Sequence, residues 1–131
     1  MTEGEKTEKI TINLGPVDLG QIDLLVQEGF YANRTDFIRT AIRHQLTTYA
    51  DEVNRTVARK TLVLGVHYYH RQDLELVRAA GETVQINVMG LASIADDVSA
   101  ELALATIDSV VVLGAFRASS AVKTALAGRI R

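Results

Sequence analysis

The chain has 131 residues, 47% of them hydrophobic, with a formal net charge of −2. This is enough to fill one ordinary domain or two small ones, and global disorder is excluded. The absence of Cys excludes disulfides, thiolate metal sites and a Cys nucleophile. A near-neutral balance excludes bulk electrostatic attraction to polyanions, so any recognition of nucleic acid must come from local placement of charge.

Residues 1–8 carry both signs of charge and no apolar run, which predicts a short flexible arm and no signal peptide. From Lys9 to Leu14 the sequence KITINL alternates strictly. Ile10, Ile12 and Leu14 fall on one face, and Lys9, Thr11 and Asn13 on the other, the period of a half-buried strand. Gly15-Pro16 ends it, and nothing before residue 61 offers a second strand to pair with. A single strand leaves its backbone donors and acceptors unpaired.

Val17, Ile22, Leu25 and Val26 then recur at helical spacing, with Asp18 and Asp23 near the start and Gly29 placed to end the helix. After the turn Phe30-Tyr31-Ala32, Asn33 is a good N-cap for a second helix, and Asp36 three residues on makes a short capping box. Phe37, Ile38, Ala41, Ile42 and Leu46 form its apolar stripe, with Arg34, Arg39 and Arg43 off it. The stripe continues through Val53 and Val57, which predicts a semi-rigid helical connector over residues 47–60; the alternative is a break near Thr47-Thr48, two weak helix formers.

From residue 61 charges thin out and β-branched residues cluster. TLVLGVHYYHRQDLELV, QINVMGLASIADDVSAELA and SVVVLGAFRASSAVKTALA align on a glycine. The last two match at a period of 24: Gly90 with Gly114, Val98 with Val122, and Leu102-Ala103 with Leu126-Ala127. The first is offset by one residue and places Leu74 near the Val98 position. Each unit reads as a buried strand, a glycine, a polar turn and a short Ala/Leu-rich helix. Two architectures fit: a three-rung strand–helix repeat, or an ACT-like order with strand 61–69, helix 71–80, two strands across 83–95, helix 96–106 and strand 109–116. Both are α+β when joined to the N-terminal half. The apolar run Val110-Val111-Val112 would invite pairing with another chain if left on an open edge.

The span of residues 9–46 resembles the ribbon-helix-helix superfamily of DNA-binding proteins that includes the MetJ and Arc repressors, with particular similarity to its plasmid-copy-control and nickel-responsive branches. The resemblance rests on KITINL, IDLLVQEGFY and NRTDFIRTAIR in this order and spacing, with Asp36 where the family usually has Glu. It implies an intertwined homodimer in which two copies of the strand form an antiparallel ribbon in the DNA major groove. Base reading is then expected from Lys9, Thr11 and Asn13, side chains able to address guanine, thymine and adenine edges. The start of the second helix, at Asn33, Arg34 and Thr35, would clamp a phosphate. Arg39 and Arg43 either reach the DNA backbone or solvate the outer face.

Residues 9–46 balance four Lys/Arg against four Asp/Glu, so one dimer would bind non-specifically with modest strength and gain from side-by-side binding. Residues 61–131 are therefore expected to be an oligomerisation or sensor domain. The function implied is a bacterial, cytoplasmic transcriptional regulator whose partners are double-stranded DNA and its own copies. Alternatives are an antitoxin or scaffold whose C-terminal half binds a protein, or a ligand-sensing regulator with an ACT-like domain. No enzyme constellation, no cofactor and no membrane span is expected, and the sequence names no small-molecule effector. His67 and His70 fall on opposite faces of a strand and converge only on a turn, where Asp73 would complete a set; no metal is assigned to them.

Overall fold

The computed structural model describes residues 7–131. The arm expected over residues 1–8 therefore lies almost wholly outside the described residues. The chain divides into two compact units, one over Glu8–Thr56 and one containing Val57–Arg131.

In the first unit, residues 9–14 form no ladder within the single chain. A strand exists only with a hydrogen-bonded neighbour, and this unit supplies none. Helix α1 (Pro16–Gln27) begins with Pro at its first position, where a missing N–H costs nothing. It ends in a Schellman turn. Gly29 sits at φ 86°, Gly29 N donates to Val26 O at 3.1 Å, and Phe30 N donates to Leu25 O at 2.9 Å. Helix α2 (Arg34–Thr48) follows, and helix α3 (Ala50–Lys60) begins after a break at Tyr49. The expected continuous helix is thus interrupted. The Thr47 and Thr48 hydroxyls donate to the carbonyls of Arg43 (2.9 Å) and His44 (3.2 Å), a back-bonding that bends helices. The boundary between the units falls inside α3.

The second unit alternates strand and helix: β1 (Val63–Tyr69), α4 (Arg71–Ala79), β2 (Val84–Ile94), α5 (Ala100–Thr106), β3 (Ile107–Arg117), α6 (Ser120–Leu126) and a 3₁₀ turn Ala127–Arg129. The three strands are parallel in the order β1-β2-β3. Residues 83–95, which an ACT-like order divides between two strands, hold the single strand β2.

The register aligns Gly65 with Gly90 and Gly90 with Gly114. All three have φ between 118° and 137°, a region that favours glycine. A Cβ built on Gly90 would meet the Gly65 carbonyl oxygen at 2.2 Å, and one on Gly114 would meet the Gly90 oxygen at 2.1 Å. Each missing side chain is therefore the seat of the preceding strand's carbonyl.

One core lies between the sheet and its helices. Leu74, Val98, Leu102, Val122 and Leu126 from the helical layer meet Ile86, Val88, Ile94, Ile107 and Val110 from the strands. All are at most 3% exposed, each contributing about 1.5–3 kcal/mol. The positions that match across the aligned segments, Leu74, Val98 and Val122, are all in it. Ser99 caps α5, accepting from Leu102 N at 3.1 Å, and Ser119 caps α6 in the same way through Val122 N at 3.2 Å. β3 is an edge strand of the sheet, but Val110 on it is fully buried and bridged by Ile130, and Arg131 N donates to its carbonyl at 2.8 Å. Arg129 fixes this tail by donating to the Leu104 and Ile107 carbonyls at 2.7 Å each.

Candidate nucleic-acid interface

The candidate interface belongs to the unit Glu8–Thr56. Lys9, Thr11 and Asn13 are exposed on the segment that leads into α1, and so are Ile10 (74%), Ile12 (54%) and Leu14 (41%). In a single chain the two faces of this segment are equally wet. Val17, Leu24, Phe30, Ile42 and Leu46 are also exposed, and within residues 8–56 only Ile22 is buried. An alternating segment and two helices that bury one side chain between them leave most of their apolar surface uncovered within this unit.

The start of α2 is built as its sequence suggests, with one difference. Asn33 is extended and its side-chain oxygen accepts from Asp36 N at 2.8 Å. The Asp36 carboxylate accepts from Ala32 N at 2.9 Å, one residue before the position a regular capping box would use. Tyr31 packs edge-on against Phe37, ring centroids 5.0 Å apart, and so fixes the turn to the helix's first turn. With the Asp36 N–H taken by the cap, the Arg34 and Thr35 N–H groups are the first-turn donors without an intrahelical acceptor.

The Arg34 guanidinium is turned to α1. Its Nε and Nη2 donate to the two carboxylate oxygens of Asp23, both at 2.8 Å. The hydrogen bonds from Arg34, and then its charge, hold the Asp23 carboxyl below its usual range; the same pairing raises the Arg34 pKa. This fork ties the start of α2 to α1. The partnership spans 11 residues across a turn, and no helical or strand spacing signals it. Arg39 and Arg43 are exposed on α2. Asp23 and Asp36 place two carboxylates around the helix start, so its backbone donors face an anion under less favourable electrostatics than a bare N-terminus offers.

In the second unit the ends of β1 and β2 border an open hollow of about 520 Å³ lined by Tyr68, Tyr69, His70, Ser93 and Asp96 among others. Burial raises the Tyr69 pKa. His70 precedes α4, and its N–H donates to the Asp73 carboxylate at 3.3 Å. Asp73 thus serves the helix start. Among the described residues no three His, Cys, Asp or Glu side chains are grouped to hold a metal ion, and no helix is long and apolar enough to cross a membrane.

The comparisons with known proteins agree with the N-terminal architecture. The profile of the ribbon-helix-helix transcriptional regulator family matches residues 5–123, a span that includes both units up to α6. An uncharacterized protein of Methanocaldococcus jannaschii is 40% identical over 43 residues, 33% of this chain and 44% of that protein, so the chain spans less than half of that relative's length. No solved structure matches the chain significantly. Neither the plasmid-copy-control nor the nickel-responsive branch is singled out by these matches. With its family profile covering most of its length, the chain belongs to the ribbon-helix-helix transcriptional regulator family.

Proposed function

We propose that the protein is a sequence-specific DNA-binding transcriptional regulator that acts as a homodimer. The observation that carries this reading is the half-core of residues 8–56, in which Ile22 alone is buried. A second copy related by a two-fold axis supplies the other half. Two copies of residues 9–14 then pair antiparallel, which satisfies their backbones and sends Ile10, Ile12 and Leu14 onto the helices of both chains. Lys9, Thr11 and Asn13 are doubled on the outward face, in a ribbon of the width the major groove admits. The α2 N-termini clamp flanking phosphates through the Arg34 and Thr35 N–H groups, with Asn33 holding the helix start. In this reading Arg34 positions the clamp through Asp23 and does not itself grip phosphate, while Arg39 and Arg43 supply outlying backbone contacts. Residues 9–46 bind DNA and dimerise, 47–60 connect, and 61–131 form a three-rung strand–helix repeat that promotes higher oligomerisation.

The test is direct. Replacing Lys9, Thr11 and Asn13 together by Ala leaves the circular dichroism spectrum unchanged and abolishes discrimination between operator and random duplex in a gel shift. Retained discrimination would remove the ribbon from base reading. A second reading, a ligand-sensing regulator, rests on the hollow beside Tyr68, Tyr69 and His70. Thermal-shift screening of the full chain against small metabolites would reveal such a ligand, and stabilisation lost in Tyr69→Ala would locate it.

A further inference from the structure

We propose that the hollow at the carboxyl ends of β1 and β2 binds a small organic cation, an amine whose charge rests on the Asp96 carboxylate and whose body lies on the Tyr68 and His70 rings. The proposal rests on the ligand-sensing reading of that hollow, and it names the class of ligand.

The fold places the site. All three strands run parallel, so their carboxyl ends share one edge of the sheet. Open α/β sheets receive their ligands at this edge. β1 ends at Tyr69 and β2 at Ile94, which are partners in the register. Ala95 N donates to Tyr69 O at 3.0 Å and so ties the two strand exits together. Val98 N donates to Ala95 O at 3.1 Å and closes a turn with Asp96 and Asp97 at its central positions. The hollow that these exits border, about 520 Å³, has the size of a small-molecule site.

Charge decides the class of ligand. The lining holds Tyr68, Tyr69, His70, Ser93 and Asp96, and among its described residues there is no Lys or Arg. Asp96 is the one acidic or strongly basic side chain among them. Its neighbour Asp97 is engaged elsewhere: Arg71 Nε lies 3.8 Å from Asp97 Oδ2 and 3.6 Å from Glu75 Oε1. Among the described residues none makes an ion pair or hydrogen bond with the Asp96 side chain. An anion would meet this carboxylate with nothing to balance it, whereas an ammonium pairs with it through charge-assisted hydrogen bonds.

The rings supply the rest of the contact. Tyr68 and His70 hold their ring centroids 6.3 Å apart with planes 21° from parallel, and Tyr68 is 40% exposed. Aromatic faces attract a cation and also cover an apolar body. A metal ion asks for three or more ligands, and among the described residues no such group of His, Cys, Asp or Glu exists. One carboxylate beside aromatic faces is instead the donor set of an organic cation.

Ligand-observed NMR titrations of the full chain test this with three probes that share a phenyl ring on a short linker and differ in charge: phenethylamine, phenethyl alcohol and hydrocinnamate. Phenethylamine is expected to bind most tightly and hydrocinnamate least. Asp96→Asn is expected to weaken phenethylamine about ten-fold or more, and Tyr68→Ala about three-fold or more. Both residues are exposed, so both variants are expected to keep the circular dichroism spectrum. Asp108→Asn removes the same charge near the start of β3, at the opposite end of the sheet, and is expected to leave the affinity within about two-fold. Phenethylamine binding that is unchanged in Asp96→Asn overturns the proposal. So does hydrocinnamate binding as tightly as phenethylamine, although its loss in Tyr69→Ala would keep the hollow as a ligand site of another class. If no probe binds at millimolar concentration, the proposal fails and the ligand-sensing reading stands or falls with the metabolite screen. Asp96-dependent binding of phenethylamine that leaves the gel shift of duplex DNA unchanged upholds the site and removes the sensing role alone.

Discussion

Gly65, Gly90 and Gly114 share one backbone conformation but not one environment, and substituting them separates two costs of a side chain. At Gly65 a Cβ meets nothing within 4 Å, so Gly65→Ala is opposed by its φ of 128° alone, about 1–3 kcal/mol. At Gly90 the same strain applies, and the new Cβ also lies 2.2 Å from the Gly65 carbonyl oxygen. Ordinary carbon–oxygen contacts begin at about 3.3 Å, so β1 and β2 must part locally by about 1 Å. That stretches two or three ladder hydrogen bonds beyond useful length, at about 0.5–1.5 kcal/mol each. Gly90→Ala should therefore be less stable than Gly65→Ala by about 1–4.5 kcal/mol, a large part of a typical domain's stability. Urea titrations of the two full-length variants, followed by far-UV circular dichroism, give the difference. Hydrogen exchange in β2 peptides shows whether the ladder opens there. Equal destabilisation within about 0.5 kcal/mol would mean that the strands yield freely, and the account of the glycine ladder would fail.

Three further expectations follow from local geometry. The Asp23 carboxyl is held low by Arg34, so the pairing contributes fully above the unfolded carboxyl value of about 4 and is lost as pH falls through the lower folded value. Carbon-detected NMR titration should show the Asp23 midpoint rising in Arg34→Met, and an unmoved midpoint would detach the two residues. Thr61 is a non-glycine residue at positive φ, 55°, closing α3 by donating from its N–H to Ala58 O at 3.3 Å. Thr61→Gly should relieve about 1 kcal/mol of left-handed strain and raise the melting temperature, and a fall would contradict that strain. Asn33→Ala removes the α2 cap and should cost about 1 kcal/mol; if the helix start contacts phosphate and not bases, as proposed, operator affinity should drop with it while the ranking of operator variants stays unchanged. A changed ranking would place the helix start in base reading.

Much of the local structure is legible in the residue order because it is set by neighbours. The Asn33 cap, the glycine closing α1 and the strand–glycine–helix spacing at Gly90 and Gly114 depend on residues a few positions apart. What escaped depends on longer reach. Asp23 and Arg34 meet across a turn of no fixed period. The strand period of residues 9–14 is plain in the sequence, but a single chain provides no partner to complete it. In the C-terminal half, hydrophobic strand and helix segments fit both an ACT-like order and a repeat, and the choice lies in strand direction, which composition does not encode.

The ladder also bears on how the chain length of such a protein can change. Gly65 and Gly90 are 25 residues apart and Gly90 and Gly114 are 24, yet the three remain in register. The one-residue difference is taken up by the connections together with a register shift at Val84/Gln85, where Asp108 is passed over between the partners Ile107 and Ser109. Duplicating a whole unit, for instance residues 91–114, would set a fourth glycine on the Gly114 carbonyl and move the tail at Arg129–Arg131 outward by one strand. Removing one residue from within β2 would instead shift every later side chain to the wrong face. Within the strands length variation is thus confined to whole rungs, which would lengthen the sheet without altering residues 9–46.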